Sequence, residues 1–241
     1  MQSNSYITLD IDWAPDFVID YVADLFIANK VKATWFVTHK SQAVDKLRDY
    51  PDLFELGIHP NFLPNSSHGN TVDEVLDFCM NLVPEAVSMR THALVQSTLI
   101  LSRVLQRTPI KYDVSLFLAY HPVLQSVDFF WGANHKLLKR LPYNWEDDFE
   151  MEHPQVDWTG KNILNIEGVK VYDFHPIHVY LNCSKFETYL KLKENYPNIN
   201  SVSREQITSY VENGNGTLSF LKLLFEKKNE TKFATISEYF K

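Results

Sequence analysis

Ile7-Thr8-Leu9-Asp10-Ile11-Asp12, followed by Trp13-Ala14-Pro15, is the stretch that decides the fold. It reads as a buried apolar strand that breaks at a turn and a proline. It carries two carboxylates two residues apart, and in a strand residues i and i+2 point to the same face. Two acids on one face at the end of an apolar strand are costly unless something cationic sits between or beside them. A divalent metal meets that need. A capping acid with a structural ion pair is the alternative that this fragment leaves open.

Beyond this strand the chain alternates. Asp16 to Asn29 predicts an amphipathic helix with Phe17, Val18, Tyr21, Val22, Leu25 and Phe26 on one stripe and Asp16 at the cap position. Ala33 to Thr38 and Phe54 to His59 read as strands, with a short helix over Gln42 to Tyr50 between them. An irregular Pro60–Asn70 loop leads into a helix over Thr71 to Leu82. A strand at Ala86 to Arg90 and a helix at Gln96 to Gln106 follow. Short extended segments are predicted at Tyr112–Leu116, Ser126–Trp131 and Leu138–Pro142, and a clear strand at Val169–Phe174. Residues 184 to 228 read as polar helix around an Asn213-Gly214-Asn215-Gly216 turn, with a last strand at Phe233–Thr235. Strands alternating with helices indicate a parallel sheet or barrel of the α/β class. With no repeat or linker in view, residues 1–241 are expected to form a single domain.

Composition narrows the function. The chain is 45% hydrophobic and 14% aromatic, enough for a large core. A net charge of −7 and the absence of a basic cluster disfavour nucleic acid as a partner. No apolar run reaches the roughly 18 residues of a membrane helix, and the start of the chain does not read as a signal peptide. The expectation is a cytoplasmic protein in which Cys79 and Cys183 are free buried thiols.

The chemistry-bearing residues gather at strand ends. Asp10 and Asp12 end the first strand, His59 the third, Arg90 and His92 the fourth, and His175 a late one. In barrels the C-terminal rim of the strands is where catalytic groups sit. Asp12, His59 and His68 would make an Asp-His-His set that suits Zn²⁺ or a similar divalent ion and leaves positions open for water. Asn61 is the substitute for His68, able to orient a ligand or donate its amide oxygen. Trp13, Trp35 and Trp145 offer flat aromatic faces on which a ring could stack, with a place in the core as the alternative for each.

In this order the motifs resemble the NodB-type polysaccharide deacetylases, carbohydrate esterase family 4, from about residue 5 to residue 182. Asp10 and Asp12 resemble the paired acids of the family's first motif, with one residue inserted. His59 and Ser67-His68 resemble a stretched second motif, Met89-Arg90-Thr91-His92 the third, Trp145-Glu146-Asp147-Asp148 a rearranged fourth, and Tyr172-Asp173-Phe174-His175-Pro176 the fifth. The Asp-Trp-Ala-Pro, His-Pro-Asn-Phe and Arg-x-His phrases are closest to a divergent branch found with bacterial surface-polysaccharide genes. The resemblance implies a distorted (β/α) barrel of about seven strands. It also implies a metal-dependent hydrolase that removes an N-acetyl group from an amino sugar or a polysaccharide intermediate. Hydrolysis of another non-peptide C–N bond, or a sugar-binding protein without catalysis, are the alternatives. Asp10 is then the base, Arg90 the cation that keeps it ionised, and His175 the acid. Asp147, among Glu146, Asp147 and Asp148, supports His175. His92, Asn61, Trp145 and His178 are placed at the substrate, with His178 able to stand in for His175 and His92 able to orient a ligand.

Overall fold

The computed structural model describes residues 3–132 and 136–241. Among these residues there are ten strands: β1 (Ser3–Asp10), β2 (Ala33–Val37), β3 (Phe54–Ile58), β4 (Ser88–Met89), β5 (Tyr112–Asp113), β6 (Val127–Trp131), β7 (Lys136–Arg140), β8 (Trp145–Glu146), β9 (Lys170–Phe174) and β10 (Thr231–Ala234). The helices are α1 (Asp16–Asn29), α2 (Gln42–Arg48), α3 (Val72–Leu82), α4 (Thr98–Arg107), α5 (Asp147–Glu152), α6 (Lys161–Leu164), α7 (Pro176–Leu181), α8 (Phe186–Asn195), α9 (Arg204–Thr208), α10 (Thr217–Glu226) and α11 (Ile236–Tyr239).

The sheet order is β6-β7-β5-β4-β3-β2-β1-β9-β8, parallel except for the β6–β7 hairpin. β1 forks the sheet. Its first half pairs β10 and its second half pairs β2 on one edge, while β9 runs along the other. The sheet curls into a half-barrel, and the segment between β7 and β8 ties its margins together. The Tyr143 amide donates to Leu116 O, the Leu118 amide to Tyr143 O, and the Asn144 amide to Val171 O, at 2.9, 2.9 and 3.1 Å. With β7 and β8 taken as one broken stave, β1 to β5, this stave and β9 account for the seven strands expected; β6 and β10 are additions.

Strand alternation sorts the side chains. Ile7, Leu9 and Ile11 join a large core under the helices, with Phe26, Trp35 and Phe220. Tyr6 lies on the concave face in a second cluster with Phe36, Tyr143 and Val171, and Thr8 and Asp10 share its side of β1. Gly57 is required here. A Cβ on it would sit 2.7 Å from the Phe36 ring and from Ser88 Oγ. Its absence seats Phe36, which in turn lies under the guanidinium of Arg90.

Several local expectations shift. Asp16 does not cap α1, because Pro15 occupies the cap position; its carboxylate instead accepts from Ser41 Oγ at 2.5 Å and ties α1 to the start of α2. The buried stripe of α1 is turned toward Val18, Ile19, Val22, Ala23 and Phe26. Thr71 caps α3 in a reciprocal box with Glu74. The fourth strand is only two residues long, and α5, α6 and α7 were not expected. α7 starts at Pro176, a favourable first helical position directly after His175. Cys79 and Cys183 are free and buried. Among the described residues no helix is long and apolar enough to cross a membrane.

Candidate active site

The C-terminal ends of the parallel strands deliver a converging set of side chains. Ladder hydrogen bonds continue past the strand ends and fix their roots: Ile11 N to Phe36 O, His59 N to Val37 O, Arg90 N to Ile58 O and His92 N to Pro60 O, all 3.0 to 3.2 Å. β1 ends at Asp10, so Asp12 does not reach the site by strand alternation. Asp12 and Trp13 both adopt left-handed backbone, φ 34° and 55°, in a tight turn closed by Ala14 N to Ile11 O at 2.7 Å. The residues after His92 repeat this, with Ala93 and Leu94 at φ 50° and 53° and Val95 N bonded to His92 O. Such backbone in non-glycine residues costs of order 1 kcal/mol or more each and persists where the surroundings over-determine it.

These two turns and the end of β3 bring three donors together. Asp12 Oδ1 lies 3.2 Å from His59 Nε2 and 3.3 Å from His92 Nδ1, and the two imidazole nitrogens are 3.3 Å apart. A triangle with these sides is one face of a tetrahedron whose corners lie about 2.0–2.1 Å from its centre, the bond length of zinc to nitrogen and oxygen. Asp12 Oδ1 is buried without a hydrogen bond. Burial pushes the Asp12 carboxyl up, but His59 and His92 hold it well below the usual carboxylate range. Burial keeps His59 below its ordinary value and hence neutral, as a ligand must be. The donor set fits a four-coordinate divalent ion with one position left for water or substrate.

Behind this triangle lies a buried acid–arginine cluster. Arg90, 1% exposed, donates from Nη1 to Thr8 Oγ1 at 2.8 Å, to Asp10 Oδ1 at 3.1 Å and to Asp173 Oδ1, and from Nε to Val114 O at 3.0 Å. Its guanidinium is sandwiched between the rings of Phe36 and Tyr143, 5.0 and 4.3 Å from their centroids. Asp10 Oδ2 is 3.5 Å from His59 Nε2. Burial raises Asp10, and Arg90 opposes the rise. Burial also lifts Asp173 and Glu146 to about 8, so one arginine is shared among acids that do not all ionise.

On the other flank, His175 Nε2 points at the triangle, 3.7 Å from Asp12 Oδ2. Its Nδ1 bonds Asp147 Oδ1 at 2.7 Å, and its backbone amide donates to Asp147 Oδ2 at 2.8 Å. This two-point grip fixes the ring. Burial disfavours the His175 charge, but Asp148 and Asp147 raise it well above its ordinary value. His178 sits behind, 3.0 Å from Asp148 Oδ1 and 3.5 Å from Asp147 Oδ2, with Tyr189 edge-on at 4.7 Å.

A family model for WbmS-like polysaccharide deacetylases matches residues 7–193. The chain belongs to that family. A solved Bordetella bronchiseptica protein, WbmS, described as a candidate polysaccharide deacetylase involved in O-antigen biosynthesis, is 35% identical, with a TM-score of 0.80 over 94% of this chain and 91% of that one. The carbohydrate esterase 4 domain of a xylanase from the hindgut metagenome of Trinervitermes trinervoides shares the fold, at 13% identity and a TM-score of 0.50 over 100% of this chain and 90% of that one. So does a 4-alpha-glucanotransferase from Thermococcus litoralis, at 12% identity and 0.55 over 98% of this chain, which spans 38% of that enzyme. No curated protein sequence matches.

In this WbmS-like deacetylase several residues stand elsewhere than the sequence suggests. His68 is not in the donor triangle: among the described residues it joins no set of three or more His, Cys, Asp and Glu donors within 4.8 Å of one another, a neighbour of that kind being Cys79 Sγ at 3.4 Å from its Nδ1. Its Nδ1 accepts from Asn61 N at 3.1 Å, its ring stacks on Phe78, and burial lowers it to about 4, so it pins the Pro60–Asn70 loop. His92 takes the corner expected for it. Asn61 Oδ1 accepts from Leu63 N at 3.0 Å within that loop, which leaves its amide nitrogen as the group it could offer a substrate. Trp145, 1% exposed, packs on Phe174 and Phe220, and its Nε1 donates to Glu150, so it is core rather than sugar platform. Trp35 is core too. Trp13, half-buried, lies edge-on to His92 at 5.1 Å. His178, 1% exposed, is closed off from substrate. Asp173 was missed; its signal was an acid at i−2 from His175, set between the aromatic residues Tyr172 and Phe174. Tyr189 carried no signal, because tertiary packing of α8 against His178 brings it to the site.

Proposed function

We propose that this deacetylase removes an N-acetyl group from an amino sugar of a surface-polysaccharide intermediate, using zinc held by Asp12, His59 and His92. The observation that carries the reading is the meeting of that triangle with Asp10 on one side and His175 Nε2 on the other. A divalent ion at the triangle supplies Lewis-acid polarisation of the acetyl carbonyl and lowers the pKa of bound water.

This chain's own groups do the proton work. Asp10, hydrogen-bonded by Arg90, whose charge opposes the rise that burial causes, takes the proton of the attacking water. His175, protonated beside Asp147 and Asp148, delivers a proton to the leaving amine as the C–N bond breaks. Asp147 grips both the ring and the backbone amide of His175, which fixes Nε2 toward the reacting bond. Asp173 and Thr8 anchor Arg90 from behind. Residues 1–241 act as one catalytic unit; β10 pairs with β1, and α10 packs in the same core as α1.

The test is acetate and free-amine release by the purified protein. N-acetylated hexosamines are offered free, nucleotide-linked and as oligomers, beside simple amides, imides and ureides. Acetate from an N-acetyl sugar, abolished in Asp10→Asn, is the expected result. Turnover of only the non-sugar amides, or of none, would overturn the assignment.

A further inference from the structure

At the N-terminal ends of the strands, on the margin of the sheet away from the catalytic cluster, a cavity of about 330 Å³ opens among β1, β9, β10, α6 and α10. Lys170, the first residue of β9, lines it together with Lys227, Asn165, Ser5 and Tyr172. Lys170 is 7% exposed. Among the described residues its ammonium forms no hydrogen bond and meets no carboxylate within 4.0 Å, although Glu230 lies on the cavity wall. Burial alone pulls it below the ordinary lysine value.

The Lys170 stem is buried while its ammonium keeps access to the cavity with no carboxylate beside it, a setting that favours a counter-ion there. Nothing in the catalytic arrangement uses this one. The chain as a whole is acidic, so a cavity presenting two lysines runs against its general charge. Two ammonium groups suit a dianion, and the Asn165 side-chain amide on the same wall suits a further oxygen. Lysine serves phosphate as a compact point charge. The volume stands at the small end of small-molecule sites and exceeds the needs of a bare oxyanion.

We propose that this cavity binds a phosphate monoester of monosaccharide size, its phosphate facing Lys170 and Lys227. The site is separate from the deacetylation chemistry and does not depend on it.

Isothermal titration of the full chain with glucose 1-phosphate, inorganic phosphate, glucose, and sodium chloride at matched ionic strength tests this. Glucose 1-phosphate is expected to bind, inorganic phosphate to bind more weakly, and glucose and chloride not at all. Lys170→Met, which keeps the apolar stem, should weaken binding about 10- to 100-fold, the loss of a charge-assisted bond. Lys227→Gln should weaken it several-fold, and Lys170→Arg should retain it. Equal binding of both phosphates assigns the site to the free anion and overturns the monoester. Absence of binding by either, or wild-type binding by both Lys170→Met and Lys227→Gln, overturns the site. Lys227 is only half-buried, so its variant keeps the test decisive should Lys170→Met not fold.

Discussion

Replacing Arg90 by Met probes the centre of the acid–arginine cluster. The substitution keeps volume between the Phe36 and Tyr143 rings and removes the cation serving Asp10, Asp173, Thr8 and Val114 O. Removing one member of a buried ion pair typically costs about 3–5 kcal/mol, because the partner charge is left uncompensated. Here two carboxylates lose their partner, and both respond by taking up protons. The sign follows. Asp10 and Asp173 have folded-state pKa values raised by burial, and without Arg90 they rise further. Groups raised in the fold favour it below their unfolded pKa, about 3.9, and cease to do so as pH climbs through the folded value. The variant should therefore lie close to wild type in urea unfolding near pH 4 and fall steadily behind as pH rises past 8. Adding Asp173→Asn should recover part of the lost stability, with a coupling of about 0.5–3 kcal/mol. Neither form should recover activity, since a protonated Asp10 cannot accept the water's proton; a loss of about 10²–10⁴-fold in kcat is expected. An Arg90→Met protein that deacetylates like wild type, or whose deficit shrinks with rising pH, refutes this reasoning.

Three further outcomes are expected. Asp10→Asn should retain bound metal, read by mass spectrometry, yet lose about 10²–10⁴-fold in kcat; normal turnover would remove Asp10 as the base. Trp145→Ala should cost about 3–5 kcal/mol in urea unfolding, as a buried indole packed on Phe174 and Phe220; a loss confined to KM with unchanged stability would restore it to the substrate. His178, raised to about 9 by Asp148 and Asp147 against the opposing effect of burial, stabilises the fold fully below pH 6.5. That contribution, of order 3 kcal/mol, is lost between about pH 6.5 and 9, and His178→Gln should flatten this part of the stability profile.

The sequence was most legible where chemistry coincides with strand ends. His59, Arg90 and His175 each follow an apolar run, and alternation with helices was enough to expect the rim of a parallel sheet. Alternation alone left a parallel sheet or a barrel open, and the resemblance of the motifs supplied the distorted barrel. What stayed hidden depends on backbone turns and on contacts distant in sequence. His68 stands close to His59 along the chain and His92 does not, yet the ladder bond from His92 to Pro60 and the left-handed Ala93-Leu94 turn place His92 beside Asp12. No local signal marks such a turn in alanine and leucine. Asp12 reaches the site by a turn rather than by the strand period that drew attention to it. Trp145 offered an aromatic beside acids, which suggests a sugar platform, and only the packing of α10 through Phe220 shows it to be core. The two-residue strand at Trp145–Glu146 was too short and too acidic to announce itself.

Zinc content after metal loading and dialysis tests the central claim most directly, compared across wild type and Asp12→Ala, His59→Ala, His92→Ala and His68→Gln, with folding checked by circular dichroism. Retention of a single zinc by wild type and His68→Gln, with loss from the other three folded variants, is the predicted result. A folded His92→Ala protein that keeps its zinc while His68→Gln loses it would contradict the account.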